Sequence, residues 1–156
     1  MNEQILSSPQ QRFLEQVRAY IALIENHTTL EDEIFFTTCA KTLANLYSAS
    51  LDLADVEPCE SIADESPVEG VTPAVQDKLR GLAERLPSTF DLLYDDLHDV
   101  YVDLQLGLSM FDRGEPCALI NAMWEWKFTF VVHWGKHLTH ALSILHQLIL
   151  EPSSHA

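Results

Sequence analysis

The chain has 156 residues, and its 24 acidic and 9 basic residues give it a net charge of −15. This length fits one domain with its own hydrophobic core. The negative charge argues against binding to nucleic-acid backbones or anionic membranes, because both need clustered Lys and Arg. Most of the excess charge lies in residues 51–100, which have thirteen acidic and three basic residues. This acidic region suits a basic partner or a cation, or simply keeps the protein soluble.

The three cysteines, Cys39, Cys59 and Cys117, form no C-x-x-C pair. An odd cysteine count, together with an N-terminus that lacks signal-peptide features, predicts reduced thiols in a cytoplasmic protein. Cys39 and Cys117 fall in apolar helical patterns, which predict core positions. Cys59 lies among acidic residues that disfavour its thiolate. No apolar stretch approaches the length of a membrane span.

The first two predicted helices begin at residue types that usually cap helices. Ser8 is followed by Pro9, and a glutamine stands three residues after the serine, so we expect the first helix to begin there. Thr29, with Asp32 in the capping-box position, predicts the start of a second helix that runs to about Leu53.

The middle of the chain differs in composition from both flanks. Residues 54–71 contain two prolines, six acidic residues and no basic residue, which predicts a mobile acidic loop. Thr72 and Pro73 then begin a short third helix that ends at about Leu86.

The last two predicted helices are the longest. The fourth runs from about Thr89 to Asp112, and the fifth from Pro116 to Leu150. Within the fifth, residues 124–130 alternate apolar and polar in the manner of a strand. Both flanks are helical, and a lone strand would leave its backbone groups unpaired, so we predict a helix with a kink at Gly135.

These elements predict an all-α fold. The chain forms a single domain over residues 1–156, a bundle of about five helices packed around a long C-terminal helix.

Aromatic and basic residues near the C-terminus carry a family resemblance. Residues 124–138 (WEWKFTFVVHWGKHL), 99–108 (DVYVDLQLGL) and 112–114 (DRG) resemble the C-terminal half of a bacterial family, the domain of unknown function 5063. The first half of the chain matches that family only in being helical. The resemblance implies a small, all-helical, bacterial cytoplasmic domain, and it supplies no mechanism and no catalytic residues.

A helical wheel separates the side chains of the last helix into two main faces. The broad apolar face contains Ile120, Trp124, Val131, Leu138, Leu142, Leu145 and Ile149. A second sector contains Trp126, His133, His137, His140 and Ile144. The spacings i, i+4 and i, i+3 allow the three histidines to face one neighbouring helix.

Carboxylates and histidines together suggest a metal site. Asp91, Asp95, Asp99 and Asp103 follow one another at i, i+4 spacing on the fourth helix, opposite its apolar face. Aspartate and histidine ligands suit Zn, Mn or Fe, although the Glu-x-x-His pattern of di-iron bundles is absent. The candidate ligands are His98, Asp99, Asp103, His133, His137 and His140. The alternatives are a solvated aspartate stripe and histidines that serve packing and hydrogen bonding.

Three functions remain open from the sequence. The first is a non-enzymatic protein-interaction or regulatory domain, with a protein partner or self-association, no nucleic acid and no membrane. The second is the metal-binding bundle, with a divalent transition metal as its cofactor. The third is a small-molecule pocket between helices. Trp126, Phe130 and Trp134 are candidates for a pocket or an interface, with core packing as the alternative. No phosphate-binding loop or nucleophile motif is present, which lowers the case for an enzyme.

Overall fold

The computed structural model describes residues 5–59 and 73–150, and every regular element in these ranges is helical. The helices are α1 (Ser8–Asn26), α2 (Asp32–Leu51), α3 (Pro73–Arg85), α4 (Leu92–Asp112), α5 (Ala118–Thr129) and α6 (Gly135–Leu150). A π-helical turn, Phe130–Trp134, joins α5 and α6 into one long C-terminal helix. The predicted all-α bundle is therefore confirmed. None of the described helices combines the length and hydropathy needed to cross a membrane.

The helix starts are close to the predictions, but the capping residues differ. Ser7, and not Ser8, caps α1: the backbone N–H of Ser7 donates to Gln10 Oε1 at 2.9 Å, and Ser7 Oγ accepts from the Gln10 N–H. This reciprocal pair satisfies two backbone donors at the start of the helix. Thr29 does not cap α2, because it ends a single 3₁₀ turn and α2 begins at Asp32.

Helix α4 is central to the bundle, since it contacts α1, α3, α5 and α6. The helices were predicted to pack around the last helix. Helix α6 does contact α2 and α4, but α4 contacts more of the other helices. The Tyr20 hydroxyl of α1 donates to the Leu97 carbonyl of α4 at 2.8 Å. Burial raises the pKa of Tyr20 well above its usual value, which keeps this hydroxyl a donor.

Two tryptophans of the C-terminal helix lie in the core. Trp126 and Trp134 are both 0% exposed. Trp126 Nε1–H donates to the Leu104 carbonyl, and Trp134 Nε1–H donates to the Trp126 carbonyl, each at 3.1 Å. Gly107 lets α4 approach closely, since a Cβ there would lie 2.1 Å from Trp126 Nε1. The prediction that these two tryptophans line a pocket or an interface is therefore wrong, and core packing is correct.

The π-helical turn explains why the helical wheel misplaced part of the last helix. Gly135 N–H donates to the carbonyl of Phe130, five residues earlier. One extra residue in a turn rotates the following face by about 100° relative to an ideal helix. Val131 and Ile120, which the wheel placed on the apolar core face, are 64% and 41% exposed. The irregularity expected at Gly135 thus takes the form of this turn.

A disulfide contradicts the predicted state of two cysteines. Cys59 and Cys117 are bonded, with their Cα atoms 6.0 Å apart, while Cys39 is free and buried. The prediction of three reduced thiols was wrong because spacing along the chain does not reveal that the start of α5 lies beside the segment after α2. Cys117 also lies just before α5, in a left-handed conformation with φ of 73°, and not inside a helix.

The disulfide holds a short segment against α5. We call residues 52–59 the tether, since its last residue is bonded to Cys117 and the Cys59 N–H donates to Asn121 Oδ1 at 2.9 Å. The tether covers the first part of the acidic loop predicted for residues 54–71. The rest of that loop lies outside the described residues.

Thiol titration tests the disulfide. The native, non-reduced protein is expected to have no reactive thiol, because two cysteines are bonded and burial raises the pKa of Cys39 to about 12. After mild reduction two thiols should react quickly, and Cys39 should react only on unfolding. Cys39→Ala should leave the native counts unchanged. Fast reaction of all three thiols without reductant would contradict the disulfide.

Two glycine substitutions test the π-helical turn. Gly135→Ala should lower the free energy of unfolding by about 1–3 kcal/mol, the usual cost of overpacking, because its Cβ would lie 2.4 Å from the Phe130 carbonyl oxygen. Gly81→Ala in α3 is the matched control. Its Cβ would meet nothing within 4 Å, so alanine should raise the free energy of unfolding by up to about 1 kcal/mol. Urea unfolding monitored by circular dichroism measures both, and equal effects would rule out the packing assigned to Gly135.

Candidate functional site

Carboxylates of α4 face histidines of the π-helical turn and α6. We call this group the carboxylate–histidine cluster, and its members are Asp96, Asp99, Asp103, His133, His137 and His140. The carboxylates are spaced i, i+3 and i+7, which places them on one side of α4. The cluster joins the two central elements of the bundle.

His137 contacts two carboxylates through its two ring nitrogens. Its Nδ1–H donates to Asp96 Oδ1 at 2.8 Å, and its Nε2 lies 3.3 Å from Asp99 Oδ2. Both carboxylates are acceptors, and the contact to Asp96 is the shorter one, so we assign the proton of the neutral ring to Nδ1, which leaves the Nε2 lone pair directed toward Asp99. A metal ion bound to both of these atoms would make the contact between them favourable.

Asp96 orients two of the histidines. Its carboxylate is only 6% exposed, and its second oxygen accepts a short hydrogen bond from His140 Nδ1–H. A buried carboxylate needs such donors, because an unpaired buried charge is costly. Asp96 was not among the predicted ligands, because the predicted aspartate stripe followed strict i, i+4 spacing. The i, i+3, i+7 spacing from Asp96 to Asp103 was the signal that identifies this residue.

His133 is oriented in the same way by Asp103. His133 Nδ1–H donates to Asp103 Oδ2 at 2.7 Å, and the Asp103 side chain is 15% exposed. Burial raises the pKa of the Asp103 carboxyl, and the bond from His133 partly opposes that rise. The rings of His133 and His137 are neighbours, with centroids 4.8 Å apart and an interplanar angle of 69°.

Three of these residues form a candidate metal-binding group. Candidate ligand atoms of Asp99, His133 and His137 all lie within 4.8 Å of one another. Tetrahedral ligands at zinc bond lengths are separated by about 3.3 Å, which equals the 3.3 Å between His137 Nε2 and Asp99 Oδ2. A movement of the half-exposed His133 ring would complete the set.

The other residues predicted as ligands have different positions. Asp103 accepts a hydrogen bond from His133, and His140 donates one to Asp96. His98 Nδ1 is 3.7 Å from Asp99 Oδ1, its ring stacks on Tyr94, and its buried Nε2 has no hydrogen-bond partner among the described residues. His98 therefore does not join the three chelating positions. Asp91 and Asp95 are exposed, as a solvated stripe would be.

A second surface feature lies on the same long helix. The rings of Trp124 and Phe128 stack with their centroids 5.2 Å apart and an interplanar angle of 6°. They line an open groove of about 280 Å³, which we call the aromatic groove. Its lining residues are Asp55, Val56, Trp124, Lys127, Phe128, Val131 and Val132. Phe130, the third predicted pocket residue, instead packs on Trp134 and Tyr47.

Comparison with known proteins identifies the family. The profile described as "Domain of unknown function (DUF5063)" matches residues 4–92 and 84–151. The chain belongs to this family. The predicted family is therefore confirmed, and the match extends over nearly the whole chain, beyond the C-terminal half in which the resemblance was seen. No curated protein matches the chain.

A solved structure has the same fold as this DUF5063 chain. The crystal structure of protein BF1032 from Bacteroides fragilis is similar over 95% of this chain and 96% of its own, with a TM-score of 0.79 and 22% sequence identity. At that identity the likeness shows the fold alone. The function of the DUF5063 chain must therefore be argued from its own residues.

Proposed function

We propose that this protein binds one divalent transition-metal ion through Asp99, His133 and His137. The observation that carries the proposal is the position of His137, whose two ring nitrogens each face a carboxylate, Asp96 at 2.8 Å and Asp99 at 3.3 Å. A metal ion bound to Nε2 and Asp99 would remove the conflict between a lone pair and an anion.

The carboxylates of Asp96 and Asp103 support this proposal. Metal-bound histidines usually donate their second ring N–H to a carboxylate, which fixes the ring and makes the other nitrogen a stronger ligand. Asp96 does this for His137, and Asp103 does it for His133. The metal-binding role is further supported by Asp99, whose Oδ2 lies 3.3 Å from His137 Nε2 and which has a candidate ligand atom within 4.8 Å of one on His133.

The ligand types favour particular metals. Two imidazoles and one carboxylate with open positions are typical of Zn²⁺ and of Fe²⁺ or Mn²⁺ sites. Mg²⁺ and Ca²⁺ prefer oxygen ligands alone. The three carboxylates of the cluster also add negative charge, which a divalent cation would offset.

Metal titration tests the site. Chelator-treated protein is expected to bind one Co²⁺ or Zn²⁺ per chain, and Co²⁺ should give visible absorption bands that excess Mg²⁺ leaves unchanged. His137→Ala should abolish binding, because it removes a ligand. His146→Ala changes an exposed histidine of α6 outside the cluster and should bind like the wild type. A wild type that binds no ion, or unaltered binding by His137→Ala, would refute the site.

Asp103→Asn separates orientation from ligation. The asparagine oxygen still accepts from His133 but lacks charge, so metal affinity should fall by about 10–100-fold and not vanish.

The same variant tests the effect of burial on stability. Because burial raises the pKa of Asp103, the charged carboxylate is less favourable in the folded chain than in the unfolded chain. In metal-free protein at neutral pH, Asp103→Asn should therefore not lower the free energy of unfolding. If Asp103→Asn raises the free energy of unfolding, this increase should disappear as the pH falls through the folded-state pKa of Asp103, because the wild-type carboxyl is then uncharged too. A large loss of stability at neutral pH would mean that the carboxylate serves the fold itself.

We also propose, as a second function, that the chain acts as a non-enzymatic protein-interaction domain. The aromatic groove supports this, because Phe128 and Val131 are 49% and 64% exposed beside the stacked Trp124. Exposed aromatic and aliphatic side chains that adjoin one another are typical of binding surfaces.

A pull-down from the native host tests this second function. Wild-type protein should recover a partner that is lost with Val131→Asp, because the charge would enter the apolar groove. Ile34→Asp in α2 is the matched control, since Ile34 is 51% exposed and outside the groove. Recovery of the same proteins by both variants would count against the groove as the contact.

The charge, the disulfide and the burial of the tryptophans bear on the remaining predictions. The net charge of −15 supports the absence of nucleic-acid binding. The predicted cytoplasmic location is opposed by the disulfide of Cys59 and Cys117, since disulfides persist mainly in oxidising compartments. Trp126 and Trp134, which were predicted to line a small-molecule pocket, are both buried in the core.

A further inference from the structure

We propose that the aromatic groove binds a basic amphipathic helix of a partner protein. This inference rests on the interaction role proposed above and adds the chemical class of the partner. It follows from the walls of the groove and from the charges at its edge.

The groove is already formed in the chain without a partner. One wall is the long C-terminal helix, which contributes Trp124, Phe128 and Val131. The opposite wall is the tether, which contributes Asp55 and Val56 and is held to α5 by the disulfide. A preformed groove lowers the entropy that a binding segment must lose, which favours docking of a rigid apolar helix face.

The groove has few polar groups that could orient a small molecule. Lys127 Nζ donates to the Ser50 carbonyl at 3.1 Å, so this ammonium group is held against α2. The remaining lining side chains are apolar, apart from Asp55. Small-molecule sites usually add several converging polar groups to an apolar pocket, so apolar side chains of another protein fit this surface better.

The charge around the groove selects a basic partner. Asp55 and Glu57 are exposed on the tether, and the chain as a whole has a net charge of −15. Lys or Arg residues beside the apolar face of a partner helix would meet this charge favourably. A second copy of the chain would bring two net charges of −15 together, and an anionic membrane would repel the same charge.

Synthetic peptides test the charge preference. Three fluorescent helical peptides of about five turns share one leucine face, and their polar faces contain lysine, glutamine or glutamate. In fluorescence anisotropy at low salt, the lysine peptide should bind at least about tenfold more tightly than the glutamine peptide, with the glutamate peptide weakest. Added salt should reduce this preference.

Two variants separate docking in the groove from adsorption to an acidic protein. Val131→Asp should weaken binding of the lysine peptide by about tenfold or more, although it adds negative charge, because it removes apolar contact. Ile34→Asp adds the same charge outside the groove and should leave binding unchanged or slightly tighter. Val131→Asp binding as tightly as Ile34→Asp would mean adsorption and would overturn the proposal.

The other outcomes identify other occupants. If the lysine and glutamine peptides bind equally well and Val131→Asp weakens both, the proposal of a basic partner is wrong, but the interaction role is retained. Failure of all peptides, together with a pull-down that finds no groove-dependent partner, would overturn both. A dimer in light scattering that Val131→Asp abolishes would assign the groove to a second copy. Val131-dependent binding to phosphatidylcholine vesicles without peptide binding would assign it to a membrane surface.

Discussion

The extra residue in the π-helical turn is the constraint on which both the core and the surface sites depend. Trp126 before the turn and Trp134 after it are fully buried and joined by a hydrogen bond. In a regular helix the apolar stripes of α5 and α6 would point in different directions. The turn realigns them, and Gly135 permits it because any Cβ would collide with the Phe130 carbonyl.

The same turn distributes consecutive side chains among three environments. Val131 and Val132 line the aromatic groove, His133 reaches Asp103 of α4, and Trp134 enters the core. Four neighbouring residues thus connect the groove, the cluster and the packing between them. π-helical turns are often found at functional sites, and here the turn adjoins both surfaces that we propose to be functional.

Asp96 determines the geometry of the carboxylate–histidine cluster. Its nearly buried carboxylate accepts from two histidines of the facing helix, which offsets the cost of its burial. These contacts turn His137 so that its other nitrogen faces Asp99. Packing therefore fixes the direction of the candidate ligand atoms, and the acidic surroundings would favour a cation among them.

The sequence by itself determined the helical class, the family and most helix boundaries, because periodicity and end signals are local properties of the chain. Residue types and spacing also placed His133, His137 and Asp99 among the candidate metal ligands. It did not reveal Asp96, the disulfide of Cys59 with Cys117, or the exposure of Val131. Each of these depends on contacts between residues far apart in sequence, or on one hydrogen bond that departs from helical regularity. Only the tertiary structure decided them, because the packing of α4 against the long helix sets which side chains meet.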